Sequence, residues 1–350
     1  MKKLAKKLKI FLVCLLFSGC STISIPQIHA NGNTCACVQS KAECVMEVNS
    51  RRILYAYSAD TPLPMASTTK ILTAITVLEE CSNVDENIII PPEATGIEGS
   101  SVYLKSGDSY TVKDLLYGLM LRSGNDCATA LALRFGGSID KFSAKMNETA
   151  QKAGAVKSNF KNPHGLPCEN HYTTAKDLSY ITCYAMQNDD FREIVSTKYY
   201  QPKNWKNKNK LLCNLKGAIG VKTGYTKQAG RCLVSAATRE NTTLVCTVLN
   251  SPSMYERSTQ LLEDAFKSYQ YMPIVQDGQT FDLTVSGKSV SAYAKKGFSY
   301  PLMEEEKALL EIKTYAVQKP TFLLMKEKII GIFEIYLSNQ LLFSGNLYKL

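Results

Sequence analysis

Histidine is scarce in this sequence. Only His29, His164 and His171 occur in 350 residues, and none stands at the spacing of an HExxH zinc motif. This argues against a histidine-based metal centre, and no cofactor is expected. The apolar stretch IFLVCLLFSGC near the N-terminus is short as well. At about a dozen residues it falls below the roughly 20 of a membrane-crossing helix. Acid is missing from residues 1–30, which carry five lysines. A basic start, a short apolar run and small residues further on fit a secretory signal at 1–30, with IHA as its cleavage end. Lipidation at Cys20 and an uncleaved N-terminal membrane anchor are the alternatives, and all three place the body of the protein outside the cytoplasm. No internal repeat and no C-terminal amphipathic helix can be read. Without residues 1–30 the net charge falls from +10 to +5. That is too mild for a nucleic-acid partner and suits work near anionic cell-surface polymers. No long Lys/Arg cluster remains, and WKNKNK at 205–210 reads as a solvated loop.

What is present describes a folded protein. Apolar residues make up 45% and charged residues 21%, and the length has room for two domains. Twelve cysteines occur, ten of them beyond residue 30. Export permits disulfides, but the spacing sets no pairing. Cys183, Cys232 and Cys246 lie in apolar segments and read as small core residues.

Residues 43–57 read as two short strands turning at Asn49-Ser50, and 66–80 as a helix with Ile71, Leu72, Ile75 and Leu78 on one face. Further helices are predicted from Thr111 to SGN at 123–125, directly after it to Gly136-Gly137, over 139–153, and over 173–186 behind a threonine cap. Three strands follow, GAIGVKTGYT, GRCLVSAATR and TTLVCTVLN, then a helix at 255–269. Strands early and late with helices between them predict one α/β domain whose terminal strands share a sheet, beside a helical cluster. After Tyr271 short alternating strands take over, which predicts a small β-rich domain over 271–350.

Three short motifs carry chemistry. In PMASTTKILTAI, Ser67 and Lys70 are three residues apart and share a helix face. A lysine whose pKa is lowered by burial or nearby positive charge can take the proton of a serine hydroxyl. Alone, Ser67 reads most simply as a helix cap. In SGN, Ser123 and Asn125 lie between two helices, where they can face a cleft or simply stop one helix and cap the next. In KTGYT, Lys222 and Thr223 suit a carboxylate, and Gly224 in a strand suggests close approach of a substrate; the plain alternative is an edge strand with an exposed lysine.

Serine-lysine, then SxN, then KTG, in this order, is the signature of penicillin-interacting serine enzymes. The chain resembles the low-molecular-mass penicillin-binding proteins that are D-alanyl-D-alanine carboxypeptidases. LPMASTTKILTA, EGSSVYLKSGDSYTVKDLLYGLMLRSGND, FKNPHGLPCENHYTTAKDL and GVKTGYTKQAGRCLVSAA carry the likeness, over about residues 43–270. The resemblance implies a β-lactamase/transpeptidase-like α/β (α+β) catalytic domain, an antiparallel sheet flanked by helices, over 31–270. It implies Ser67 as nucleophile, Lys70 as base and Ser123 as proton relay. Asn125 would hold a substrate amide, Lys222 would support the network and Thr223 would bind the terminal carboxylate. Backbone N–H groups of Ser67 and Tyr225, beside Gly224, would form the oxyanion hole. The implied substrate is peptidoglycan pentapeptide, with β-lactams as inhibitors. Relatives often place an arginine after the KTG sheet; here Met254 and Arg257 stand there and carry no assigned role. NPHGL at 162–166 reads as a tight turn. A β-lactamase is the first alternative, but Glu169-Asn170 does not form an ExxLN pattern, and the middle motif is SGN rather than SDN. An endopeptidase and a non-catalytic penicillin-binding sensor are the others.

Overall fold

The computed structural model describes residues 40–285, 287–317 and 328–350, which belong to one compact unit. The expected N-terminal signal and the cysteines at 35 and 37 lie outside the described residues. A five-stranded antiparallel sheet is built from β1 (Ala42–Glu47), β2 (Ile53–Tyr57), β3 (Ala218–Thr226), β4 (Gly230–Arg239) and β5 (Thr242–Leu249), in the order β2-β1-β5-β4-β3. The N-terminal hairpin thus joins the late strands through β1 and β5, as the sequence predicts, and β3, which bears KTG, is an edge strand. Ladder hydrogen bonds on its outer side are open to an added chain.

The helices supply the second layer. α1 (Lys70–Glu80) buries Ile71, Leu72, Ile75 and Leu78 in the main core. α2 (Val112–Tyr117) starts on Thr111, whose hydroxyl accepts the Asp114 N–H, and runs into a π-helical turn at Gly118–Arg122. α3 (Asn125–Gly136), α4 (Ile139–Ala153) and α5 (Ala175–Ala185) complete the cluster. Thr174 caps α5 through the Asp177 N–H, the cap expected from sequence. α6 (Met254–Ser268) follows the sheet and packs against β4 and β5.

From residue 270 the chain forms two further antiparallel sheets. β6 (Gln270–Val275) pairs with β9 (Phe298–Leu302). β7 (Thr280–Val285), β8 (Lys288–Ala294), β10 (Leu310–Ala316), β11 (Ile329–Leu337) and β12 (Gln340–Lys349) pair in the order β7-β8-β12-β11-β10. A separate apolar core around Phe333, Ile335, Leu347 and Leu283 holds the larger sheet. Arg52, at the start of the second strand, reaches Glu306 and the Pro301 carbonyl and lies over the Tyr269 and Tyr300 rings. This half-buried cation ties the two regions together. All eight described cysteines are free thiols, and Cys183, Cys232 and Cys246 are buried core residues. No helix among the described residues is long and apolar enough to cross a membrane.

Candidate active site

Ser67 does not cap α1. It is the second residue of a 3₁₀ turn, Ala66–Thr69, whose N-cap is Met65 and which has no side-chain cap bond. The turn is strained at its first residue: Ala66 has φ 50°, the left-handed region that a residue with a Cβ rarely enters. The strain is locked from outside. A Cβ on Gly165 would fall 1.9 Å from the Ala66 carbonyl oxygen, so only glycine fits the NPHGL turn against this backbone. A Cβ on Gly224 would lie 3.0 Å from the Met65 carbonyl and 3.1 Å from the Ser67 nitrogen. The glycine of KTG is therefore required by the serine turn seated against β3. The sequence assigns that close approach to substrate; the structure gives it to the backbone of the Ser67 turn.

Lys70 begins α1 and is fully buried. Its Nζ lies 3.0 Å from Ser67 Oγ, 2.7 Å from Asn125 Oδ1 and 2.6 Å from the His164 carbonyl. The last two are acceptors. Asn125 is held in that orientation because its Nδ2 donates to the Glu98 carbonyl. A neutral amine has two N–H groups and one lone pair. In that form the two N–H groups fill the Asn125 and His164 oxygens, which leaves the lone pair for the Ser67 hydroxyl. Burial first, and then the charge of Lys222, hold Lys70 well below the ordinary lysine range. Both effects favour the neutral amine, the form that can accept a proton.

The SGN motif is placed by the π-helical turn. Ser123 closes it in the left-handed conformation, φ 66°, and is buried. This part of the helix-stop reading holds. Asn125, however, is not a cap: it is the first residue of α3, and its side chain serves Lys70. The next residue, Asp126, is buried and accepts from Ser101 Oγ and from the N–H groups of Val102 and Leu104, which fixes the 98–104 segment beside the site. Cys127, also buried next to the motif, has its thiol pushed well above its usual range by burial, so it offers no competing nucleophile.

On β3, Lys222 is 1% exposed, not the exposed lysine of the alternative reading. Its Nζ donates to the Thr223 carbonyl at 3.1 Å, and burial followed by the charge of Lys208 lowers it to about 7. Thr223 is half-buried, while the Tyr225 ring stands 66% exposed at the edge. The structure thus collects Ser67, Lys70 and Asn125 by direct bonds and brings Gly224 against the serine turn. The His164 carbonyl is a functional contact that the sequence reading missed. The sequence predicts a turn around His164, and the Asn162 side chain does hold it by accepting the Gly165 N–H at 2.7 Å. The signal was NPHGL itself, but it spoke for a backbone atom. Burial holds the His164 ring at about 3, neutral and unsuited to acid–base work. His171 accepts the Lys161 N–H on Nδ1, leaving Nε2–H for Thr69 Oγ1, and is structural. Arg257 is engaged with Glu43 through Nε and Nη2 at 2.8 and 2.7 Å and belongs to the sheet–helix packing. No group of metal-ligating side chains occurs among the described residues.

The comparisons with known proteins agree with this geometry. Residues 29–253 match the D-alanyl-D-alanine carboxypeptidase family, peptidase S11. A D-alanyl-D-alanine carboxypeptidase of Streptomyces sp. (strain K15) is 39% identical over 241 residues, covering 62% of this chain and 81% of that protein. D-alanyl-D-alanine carboxypeptidase DacF of Bacillus subtilis is 30% identical over 256 residues, covering 69% of this chain and 66% of that protein. Penicillin binding protein 5 from Haemophilus influenzae superposes with a TM-score of 0.77 at 26% identity, over 91% of this chain and 98% of that one, so the likeness in fold takes in the C-terminal sheets. On these matches the chain belongs to the D-alanyl-D-alanine carboxypeptidase family of serine peptidases, the low-molecular-mass penicillin-binding proteins.

Proposed function

We propose that the chain removes the terminal D-Ala of peptidoglycan pentapeptide through an acyl-enzyme on Ser67. The observation that carries this is the buried Lys70 amine, with two acceptors filled and Ser67 Oγ 3.0 Å away. Lys70 takes the Ser67 proton as the oxygen attacks the penultimate carbonyl. The N–H groups of Ser67 and Tyr225 stabilise the oxyanion. The tetrahedral intermediate expels D-Ala as its amine gains a proton through Ser123, and water then hydrolyses the ester by the reverse relay. The substrate backbone lies along the open edge of β3, where Thr223 meets the terminal carboxylate and Asn125 the acyl amide. Lys222 keeps the Lys70 amine neutral by its charge. A β-lactam, which imitates the D-Ala-D-Ala end, acylates the same serine.

Such an enzyme trims cell-wall peptides and acts outside the cytoplasm. Residues 1–30 would direct export, by cleavage after Ala30, by lipidation at Cys20 or as an N-terminal membrane anchor. The catalytic domain would span 31–270 and the β-rich domain 271–350. D-Ala release from pentapeptide, compared between wild type and Ser67→Ala, tests the reading: the variant should release none, and surviving activity would overturn the mechanism. Slow stoichiometric acylation by nitrocefin fits a carboxypeptidase, whereas steady turnover would favour a β-lactamase.

A further inference from the structure

Between Glu193 and Glu240 the chain has ten Lys/Arg residues and no acid. Residues 31–350 carry +5 in all, so the rest of that span is net −5. The positive charge is concentrated in the stretch that leads into β3 and β4. Part of it is already spent. Lys222 is enclosed, Lys203 meets Asp114 at 3.2 Å and Arg239 pairs with Glu263. Lys198, Lys206 and Lys210 are exposed and make no ion pair with a carboxylate among the described residues.

The sequence predicts a solvated loop at 205–210, and the structure shows a pinned one in which asparagines turned inward alternate with exposed lysines. Asn207 Nδ2 donates to the Thr197 carbonyl at 3.0 Å, and its Oδ1 accepts the Asn209 N–H at 2.9 Å. Asn209 is buried, and its Oδ1 accepts the Leu211 N–H at 3.1 Å. The backbone is tied as well. The Asn207 N–H donates to the Lys198 carbonyl at 2.9 Å, which sets Lys198 beside the segment, and the Lys208 N–H donates to the Leu121 carbonyl at 3.2 Å. Leu121 lies two residues before Ser123, so this basic ridge runs along the rim of the cleft. Arg122 Nη1 donates to the Lys206 carbonyl at 3.3 Å and adds a further cation. Like charges held side by side on a fixed backbone repel one another, and an incoming anion relieves the repulsion. A pinned display also loses little freedom when it binds.

We propose that this ridge, through Lys198, Lys206 and Lys210, is a docking surface for the polymeric substrate: it binds carboxylates of the stem peptides that neighbour, on the same glycan strand, the one in the cleft. An untrimmed stem ends in a carboxylate, and the polymer repeats it. Engaging ridge and cleft together raises the effective concentration of the reacting stem, and the field of an acid-free flank speeds encounter. The assignment rests on the serine carboxypeptidase reading and makes un-cross-linked strands, rather than free peptide, the preferred substrate. D-Ala release from such strands and from one monomeric pentapeptide tests it, in wild type and in the triple variant Lys198→Gln, Lys206→Gln, Lys210→Gln. Lys208, whose Nζ lies 3.3 Å from Ser100 Oγ, is left in place. On strands the triple variant should lose roughly 3- to 30-fold in kcat/KM, the range of three exposed ion pairs, chiefly through KM. The wild-type preference for strands should fade between about 0.05 and about 0.5 M salt. The monomeric pentapeptide should be cut at the wild-type rate, which reports a folded enzyme. A control triple, Lys288→Gln, Lys296→Gln, Lys349→Gln, makes the same change of charge at exposed positions beyond residue 270 and should leave strand cleavage unaltered. No loss on strands, an equal loss on both substrates, or an equal loss in the control triple would each overturn the proposal. Binding of inorganic polyphosphate that the ridge variant loses, with strand cleavage unchanged, would overturn it in favour of a phosphate-bearing polymer. Absence of D-Ala release from either substrate by the wild type would overturn the carboxypeptidase reading beneath it instead.

Discussion

The two five-stranded sheets are alike in strand number and direction but bury different chemistry. Around the sheet β2-β1-β5-β4-β3, two lysines, Asn125, Asp126 and a run of threonines and serines are enclosed with the apolar core. In the sheet β7-β8-β12-β11-β10, the core is Phe333 against the rings of Phe281 and Phe343, with Ile335 and Leu347. Beyond residue 270 the one buried charged residue among those described is Glu306, and it answers Arg52 of the first region. Burying an ammonium without a carboxylate is costly, and the cost lowers its pKa. A fold keeps such groups where a proton must move, so the contrast separates the working region from the supporting one.

That contrast can be broken or sharpened by substitution. The largest effect is expected at Lys70. Lys70→Met removes the proton acceptor and should slow β-lactam acylation of Ser67 by about 10³-fold, measured as a second-order rate constant. The wild-type pH profile should follow the two buried lysines. Acylation falls as pH drops through the lowered pKa of Lys70, because the ammonium has no lone pair. Above about 7 Lys222 loses its proton and no longer lowers Lys70 by its charge, so the rise of acylation with pH should flatten. A profile flat from pH 5 to 9 would remove both lysines from the chemistry. Next is Gly224→Ala. Its methyl meets backbone atoms of the serine turn at 3.0–3.1 Å, so the Ser67 N–H must shift, and kcat should fall roughly 10- to 100-fold with the fold retained. The smallest effect on activity is expected in the second sheet. Phe333→Ala should destabilise the protein by about 3–5 kcal/mol in denaturant titrations yet leave acylation at low denaturant nearly unchanged. A matching loss of acylation would show that the second sheet shapes the cleft.

Much of this was legible in the chain. The strands and helices of the first region follow their hydrophobic periods, and α4 spans Ile139–Ala153 as the pattern predicts. Ser67 and Lys70 meet because three residues is nearly one turn. The rest was hidden for the same physical reason in each case: a contact partner far away in sequence. The Lys70–His164 bond joins residues 94 apart, the Asn125 bond residues 55 apart, and Arg257 finds Glu43 across 214. The short hairpin Tyr199–Tyr200 with Trp205–Lys206 was missed because two-residue strands leave no period to read. Trp205 packs on Gly118 there and supports the π-helical turn that precedes Ser123.

Sequence alone determined which groups were candidates for the chemistry, their order along the chain, and the terminal strands that share a sheet. Those depend on residue type, local spacing and period, which a chain carries without folding. Tertiary structure decided how the groups are arranged. It turned Ser67 from a helix cap into a residue of a strained turn, gave Gly224 to that turn, and left the Lys70 lone pair facing the hydroxyl. Each of these is a matter of burial and of partners drawn from distant segments, and only the folded chain sets both.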